Sequence, residues 1–197
     1  MKKNSHERVS RLTSLALLTA IVVVLQIFGS SFRIGTIPFS LVLIPITVGA
    51  CTLGIGAGAF LGGVFGLICL IAGISGSDPF TALIWSVSPF WTAAICLVKG
   101  IACGAAAASV YKLLQKNAVL ACVTASVCCP IVNTGIFAVF MLTVFRPVLQ
   151  ELCGGSNAVT YLFITMIGIN FLVEFLINCA LSAAIVRIVR VVLKRKR

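Results

Sequence analysis

Acidic residues and histidine are scarce in this chain, which has four Asp and Glu residues and one His among 197 residues. So few groups leave no pattern of paired carboxylates for acid–base catalysis and no His cluster for a metal. Charged residues of all kinds make up 10% of the sequence, whereas hydrophobic residues make up 60%. This composition excludes an ordinary soluble domain and predicts an integral membrane protein.

Several familiar motifs are also missing. The nine cysteines include no CxxC pair, so neither a zinc site nor a disulfide framework is expected, and buried packing explains these residues better. No Walker-type Gly-rich loop with Lys occurs, so ATP hydrolysis by this chain is not expected. The glycines of 54–58 match a dinucleotide fingerprint, but no βαβ pattern surrounds them, and a tight turn is the better explanation.

Long apolar segments are what the sequence has in abundance, and their number predicts the fold. Six segments are expected to cross the membrane, at about 12–28, 37–53, 57–74, 80–111, 118–145 and 158–186. The fourth is longer than a bilayer requires, so it is expected to tilt or to enter irregularly near Pro89. The predicted fold is an all-α integral membrane protein with six transmembrane helices in a single membrane domain, 1–197.

The basic residues predict the orientation of these helices. The formal net charge is +11, but the Lys and Arg residues lie where apolar segments end. Membrane topology therefore explains these residues better than binding to nucleic acid does, and no nucleic-acid partner is expected. With a cytoplasmic N-terminus, the inner side receives twelve basic residues and the outer side only Arg33 and Arg146. The positive-inside rule then predicts that both termini are cytoplasmic.

One acid and two amides follow each other at helical spacing in the last apolar segment. Asn170, Glu174 and Asn178 share one face of a helix. Lys99 lies thirteen residues before Lys112, and Glu174 lies thirteen before Arg187, which puts each buried charge about 20 Å from the cytoplasmic face. A Lys99–Glu174 pair is therefore plausible. A ligand site is favoured over a purely structural pair, because charges inside membranes usually mark sites or pathways.

Further polar and aromatic residues extend this layer towards the outer side. Asn133 lies at nearly the height of Asn170. A hydrogen bond between amide side chains of two helices explains both residues as well as contact with a polar ligand does. Trp85 and Trp91 fit interface anchors or the walls of a pocket. Arg33, in the loop after the first segment, could meet an anionic ligand as a gate. Simple solvated charges in outer loops are expected at Asp78, Arg146 and Glu151.

Small residues are spaced for close helix packing in the first and third segments. Ala16 and Ala20 form a small-xxx-small pair, as do Gly58, Gly62 and Gly66. Packing inside the protein is the preferred interpretation of both patterns. The alternative for the alanines is a surface that docks a separate membrane subunit.

Taken together, these pieces resemble the substrate-binding S component of an energy-coupling factor (ECF) vitamin transporter over nearly the whole chain. The resemblance depends on the helix with Asn170, Glu174 and Asn178 and on the stretches 15–20 (LALLTA), 42–50 (VLIPITVGA), 53–59 (LGIGAGA) and 129–135 (CPIVNTG). The family often has Pro where Ile55 stands, which is a small departure.

The resemblance implies six helices, cytoplasmic termini and an outward pocket built from helices four to six and the loop after helix one. It assigns Ala16 and Ala20 to docking with a transmembrane coupling subunit, which itself binds two ATPases. ATP is then used by these partner subunits, and no cofactor is expected to bind to this chain. It also implies a multi-pass protein of the bacterial plasma membrane, without catalysis of its own. Pantothenate is the first choice among vitamins, because Lys or Arg could take its carboxylate and amides its hydroxyls. Riboflavin, folate precursors, thiamine or a related small metabolite are the alternatives.

Two rival functions fit the same residues less well. A non-transport scaffold resembling rod-shape-determining proteins would explain six helices and small-residue faces, but it gives no reason for polar residues on three helices. A membrane-embedded enzyme would need a nucleophile–base pair or paired acids, and neither pattern is present.

Overall fold

The computed structural model describes residues 2–29, 33–34, 37–38 and 41–194. They form α-helices, a π-helix and a short antiparallel hairpin, in which β1 (Arg33–Ile34) pairs with β2 (Ile37–Pro38). The α-helices are α1 Lys2–Gly29, α2 Leu43–Leu53, α3 Ile55–Ile74, α4 Pro79–Val87, α5 Pro89–Leu113, α6 Ala118–Thr143, α7 Arg146–Leu152, α8 Ala158–Thr160 and α9 Ile169–Lys194, and a π-helix, Tyr161–Gly168, joins α8 to α9.

Five segments are long and apolar enough to cross a membrane within the part of the chain that the structure describes. They are Arg8–Gly29, Ile55–Ile74, Pro89–Leu113, Ala118–Thr143 and Ala158–Val191. The prediction differs at the second segment, 37–53, where the structure has the strand β2 and then the 11-residue helix α2. A helix of that length spans about 16 Å, about half of the hydrocarbon thickness.

Proline explains why α2 is short. Pro45 is the third residue of α2, a position where its missing N–H has no acceptor within the helix. A helix that began a turn earlier would bring the Pro45 ring against a preceding carbonyl group. All residues of α2 except Ile44 are nevertheless buried, so this short helix is a central element of the fold.

The fourth predicted segment, 80–111, is two helices with a break at Ser88. The backbone of Ser88 is extended, with φ −154° and ψ 96°, and Pro89 begins α5. A residue before proline is disfavoured in the helical conformation, which explains the break where an irregular entry was expected. The shorter helix α4 precedes it and begins with its own proline, Pro79.

Facing glycines hold α3 and α5 in backbone contact. A β-carbon on Gly62 would collide with the carbonyl group of Gly100, and one on Gly100 would collide with that of Gly62. The same reciprocal relation joins Gly58 and Gly104, and Gly66 lies against the carbonyl group of Cys96. The prediction that the glycines of the third segment pack inside the protein is confirmed.

The first and last helices begin and end at the same end of the bundle. Arg11 of α1 donates a hydrogen bond of 2.8 Å to the carbonyl oxygen of Leu53, the last residue of α2. Arg190 of α9 interacts electrostatically with Cys122 near the start of α6, and Cys122 in turn interacts with Cys51 of α2. The N-terminal part of α1 and the C-terminal part of α9 therefore lie near the α2–α3 turn, where Gly54 adopts φ +91°, a left-handed conformation suited to glycine.

Two apolar cores are stacked along the bundle. The first, on the side of the termini, includes Ile46, Cys103, Cys129 and Ile185. The second includes Cys96, Met141 and Met166 at the other end. The N-terminal half of α6 thus packs with the C-terminal half of α9, so these two helices are antiparallel.

The glycine contact between α3 and α5 predicts a large effect from one methyl group. Gly62→Ala should lower the free energy of unfolding by about 1–3 kcal/mol, because the backbones must separate to admit the methyl group. A thermal melt of the protein purified in detergent would show this as a lower midpoint.

Gly56→Ala is the matched control, because no heavy atom lies within 4 Å of a β-carbon built there. This change should leave stability the same or raise it by up to about 1 kcal/mol through helix propensity. Equal midpoints for the two variants would contradict the proposed contact.

Candidate functional site

Lys99 lies at the centre of a polar cluster between the two apolar cores. The other described members of this cluster are Gln26, Asp78, Asn133, Glu174 and Asn178. It is half-buried on α5, and its ammonium nitrogen lies 5.6 Å from the ring centre of Phe65 on α3 and 5.8 Å from that of Phe137 on α6. Ring faces attract cations at this range. The lysine therefore has an aromatic surrounding inside the bundle.

Two acids share the surroundings of Lys99. It interacts electrostatically with Glu174 of α9, a residue expected from the sequence to lie at the same depth in the membrane, and also with Asp78. Glu174 and Asp78 are each 6% exposed. Carboxylates at this degree of burial need cations or hydrogen-bond donors nearby, and Lys99 supplies positive charge to both.

Asp78 corrects an expectation. It was expected to be a solvated loop charge, but it is buried directly before α4 and accepts a hydrogen bond from the Thr81 hydroxyl. Its backbone N–H donates to the carbonyl oxygen of Ala72 at 3.0 Å. The sequence carries a signal for this role: Asp followed by Pro and, at the third position, Thr is typical of a helix N-terminus.

Gln26 is a member of the cluster that the sequence reasoning missed. This residue of α1 is 7% exposed, and its amide nitrogen donates to the sulfur of Cys69 on α3 at 3.4 Å. Cys69 itself interacts electrostatically with Lys99, Asp78 and Glu174. A single amide within an apolar helix was the available signal, of the same kind as the asparagines that were recognised.

Asn178 and Asn133 are both buried, at 1% and 8% exposed. The amide nitrogen of Asn178 donates to the backbone carbonyl oxygen of Glu174 at 2.8 Å. The Oδ1 atoms of both asparagines are buried without a hydrogen-bond partner in the described part of the chain. A hydrogen bond between amide side chains of two helices, one of the two explanations left open for Asn133, is therefore not formed at its oxygen in the described part of the chain.

The remaining predicted contacts lie at the edge of the described cluster or outside it. Trp85 is half-buried on α4. Trp91 is 43% exposed on α5 and packs edge-on against Phe140 of α6, with ring centres 6.2 Å apart. The side chains of Arg33, in β1, and Asn170, in α9, lie outside the described residues.

The π-helix Tyr161–Gly168 leads directly into the helix that carries Glu174. The carbonyl oxygen of Phe163 closely approaches Gly168, five residues later, and a β-carbon on Gly168 would lie 2.9 Å from it. This is the wider turn of a π-helix, a geometry that is frequent at functional sites. It changes the angular register of the chain just before α9 begins.

Ala16 and Ala20 lie on an open apolar groove along α1. Both are exposed, and the groove has a volume of about 610 Å³. The other lining residues come from α1 and, in one case, from α3: Leu12, Leu15, Thr19, Val23, Val24 and Phe60. The small side chains of the two alanines leave room for another helix to approach.

The hydrogen bond from Thr81 to Asp78 predicts a stability effect. Thr81→Val keeps the shape of the side chain but removes the donor, so the free energy of unfolding should fall by about 1–3 kcal/mol. Thr143→Val is the matched control, because the Thr143 hydroxyl bonds only to the carbonyl oxygen of its own helix at Val139 among the bonds described. Thermal melts of both variants would check this, and equal midpoints would contradict the role given to Thr81.

Comparison with known proteins adds one finding to this geometry. A family model described as "ECF transporter, substrate-specific component" matches residues 10–190 of the 197-residue chain. Comparison with curated proteins finds no match. The matched range contains every described member of the polar cluster and the groove along α1.

Proposed function

Because the chain belongs to the family of ECF transporter substrate-specific components, we propose that it captures a water-soluble vitamin outside a bacterial plasma membrane for an ATP-driven importer. The family provides the substrate-binding component of a transporter and is not an enzyme family. The chain is accordingly a multi-pass membrane protein with a small-molecule substrate that associates with other subunits of the ECF module.

The observation that carries this proposal is the polar cluster buried between two apolar cores. Lys99, Asp78, Glu174 and Gln26 come from four separate segments and lie close enough to act on Cys69 or on one another. A scaffold protein has no need for charges at this depth, where each ion is expensive to bury. A vitamin with several polar groups would find matching partners here.

Each candidate residue has a role in this proposal. Lys99 would hold an acidic group of the ligand. The hydroxyl or N–H groups of the ligand would meet the carboxylate of Glu174 and the amides of Asn133, Asn170 and Asn178. Trp85 and Trp91 would form apolar walls, and Arg33 in the hairpin would meet the ligand as it enters. Pantothenate remains the first vitamin to test, since it carries a carboxylate and hydroxyls.

The distribution of basic residues supports an orientation for the bundle. Arg11 in α1, Lys112 in α5, Arg190 in α9 and Lys116 in the turn after α5 lie on the side of the α2–α3 turn. We infer that this side is cytoplasmic and that α2 forms part of a sixth crossing. The polar cluster then lies towards the outer half, where a ligand would arrive.

The groove along α1 supports a docking role for Ala16 and Ala20. In this proposal they contact the transmembrane coupling subunit, which is bound to two ATPases. ATP is used by those ATPases, and this chain binds no cofactor of its own. Close approach of helices at small residues provides the contact without a polar interface.

The first test is to identify the ligand and its dependence on Glu174. Mass spectrometry of the denatured, purified protein should detect a bound vitamin, and titration should give submicromolar affinity. Glu174→Gln should weaken binding about tenfold, the effect of losing one hydrogen bond to a charged group. Glu151→Gln, at an exposed position on α7, is the matched control and should bind like the wild type.

Recovery of no small molecule, together with no thermal shift across a vitamin panel, would favour a scaffold over a transporter. Full binding by Glu174→Gln would reduce Glu174 to a structural role.

The second test separates docking from binding. Ala16→Leu or Ala20→Leu should abolish vitamin uptake in cells, because the larger side chain fills the groove, while the purified variant keeps its affinity. Ala180→Leu places the same side chain at an exposed position on α9 and should leave uptake intact. Normal uptake by both α1 variants would reject the docking surface.

A further inference from the structure

Two buried amide oxygens in the cluster accept no hydrogen bond in the described part of the chain. They are the Oδ1 atoms of Asn133 on α6 and Asn178 on α9, whose side chains are more than nine-tenths buried. Buried acceptors are nearly always satisfied in proteins, because an unmet one is destabilising. Their position therefore indicates a need for donors that the described part of the chain does not provide.

The orientation of the Asn178 amide follows from its other contact. Its Nδ2 atom donates to the backbone carbonyl oxygen of Glu174 at 2.8 Å. The reverse assignment would place two oxygens in contact, so the side-chain nitrogen must face the helix backbone. The oxygen of Asn178 is consequently the atom that remains for an outside donor.

Both asparagines lie in or next to the layer of Lys99. Phe137 contacts Lys99, and Asn133 lies four residues before it on the same face of α6. The side chains of Cys103 on α5 and Cys129 on α6 are hydrogen-bonded. Lys99 and Asn133 each lie four residues from that contact towards the second apolar core, so they lie at similar heights. Glu174 also acts on Lys99, and Asn178 lies four residues after it on α9.

We propose that Asn133 and Asn178 form a donor-selective subsite for the transported molecule. This inference rests on the proposed function and adds the polarity of the ligand. Two carbonyl oxygens attract hydroxyl, amide N–H or amine groups and repel a carboxylate or phosphate. Lys99, in the neighbouring part of the cluster, has the opposite preference.

The subsite defines a class of ligand. The ligand carries hydrogen-bond donors on the side that faces α6 and α9, and it carries an acceptor or anionic group on the side that faces Lys99 and the rings of Phe65 and Phe137. A ligand with negative groups on both sides does not fit.

The test is a binding titration of the full chain in detergent with pantothenate, riboflavin, thiamine and folate. For each vitamin that the wild type binds, Asn133→Leu and Asn178→Leu should each raise the dissociation constant about tenfold, the loss of one hydrogen bond. Thr134→Val removes a polar group from a neighbouring half-buried position on α6. It should bind like the wild type.

A second measurement observes the asparagine carbonyl groups of the wild type directly. In protein labelled with ¹³C at the asparagine side-chain carbonyl, saturating vitamin should shift carbonyl infrared bands of the wild type to lower frequency, as expected for oxygens that accept new hydrogen bonds. The variants assign the bands, because each one lacks the band of the residue replaced.

The possible failures can be told apart. Binding by the wild type without any carbonyl shift, or with unchanged affinity in both leucine variants, would overturn the subsite while leaving the proposed function standing. Binding of none of the four vitamins, with no vitamin recovered from the purified protein, would overturn both.

Discussion

The backbone contact between α3 and α5 is the constraint on which the site depends. Gly62 meets Gly100 and Gly66 meets Cys96, so the residues between these contacts are brought opposite each other. Phe65 lies in that interval on α3, and Lys99 lies in it on α5, which explains why the ammonium group lies over the Phe65 ring. With larger residues at the contact, the helices would stand further apart, and the lysine would lose one wall of its aromatic surrounding.

The placement of polar groups reconciles a charged site with an apolar protein. Lys99 lies between Cys96, in one apolar core, and Cys103, in the other, and Glu174 lies between Met166 and Ile185 in the same way. The two cores provide burial of apolar surface on both sides, while the layer between them holds charges that interact with one another. Concentrating the polar groups in one layer lets each acid share the lysine, since an isolated charge would have to be stabilised alone.

Much of this layer could be predicted from the sequence because it consists of rare residues in an apolar background. Glu174, Asn178, Asn133 and Lys99 were recognisable from their types and their distances from basic helix ends. Asp78 and Gln26 were harder to place, because their burial depends on how the chain before α4 folds back and on which side of α1 faces α3. The length of α2 was predictable in principle from Pro45, whereas hydropathy alone extended this segment to 37–53.

The sequence by itself determined the class of the protein, the set of long apolar helices and the residue types available to bind a polar ligand. These properties are local, since they follow from the hydropathy of each segment and from the positions of Pro, Gly and charged residues. Only the tertiary structure decided that Asp78 and Gln26 join the cluster, that Ala16 and Ala20 are exposed on a groove, and that two asparagine oxygens receive no hydrogen bond from the residues that the structure describes. Those properties depend on which helix faces which, and that is determined by contacts between residues far apart in the chain, such as Gly62 and Gly100.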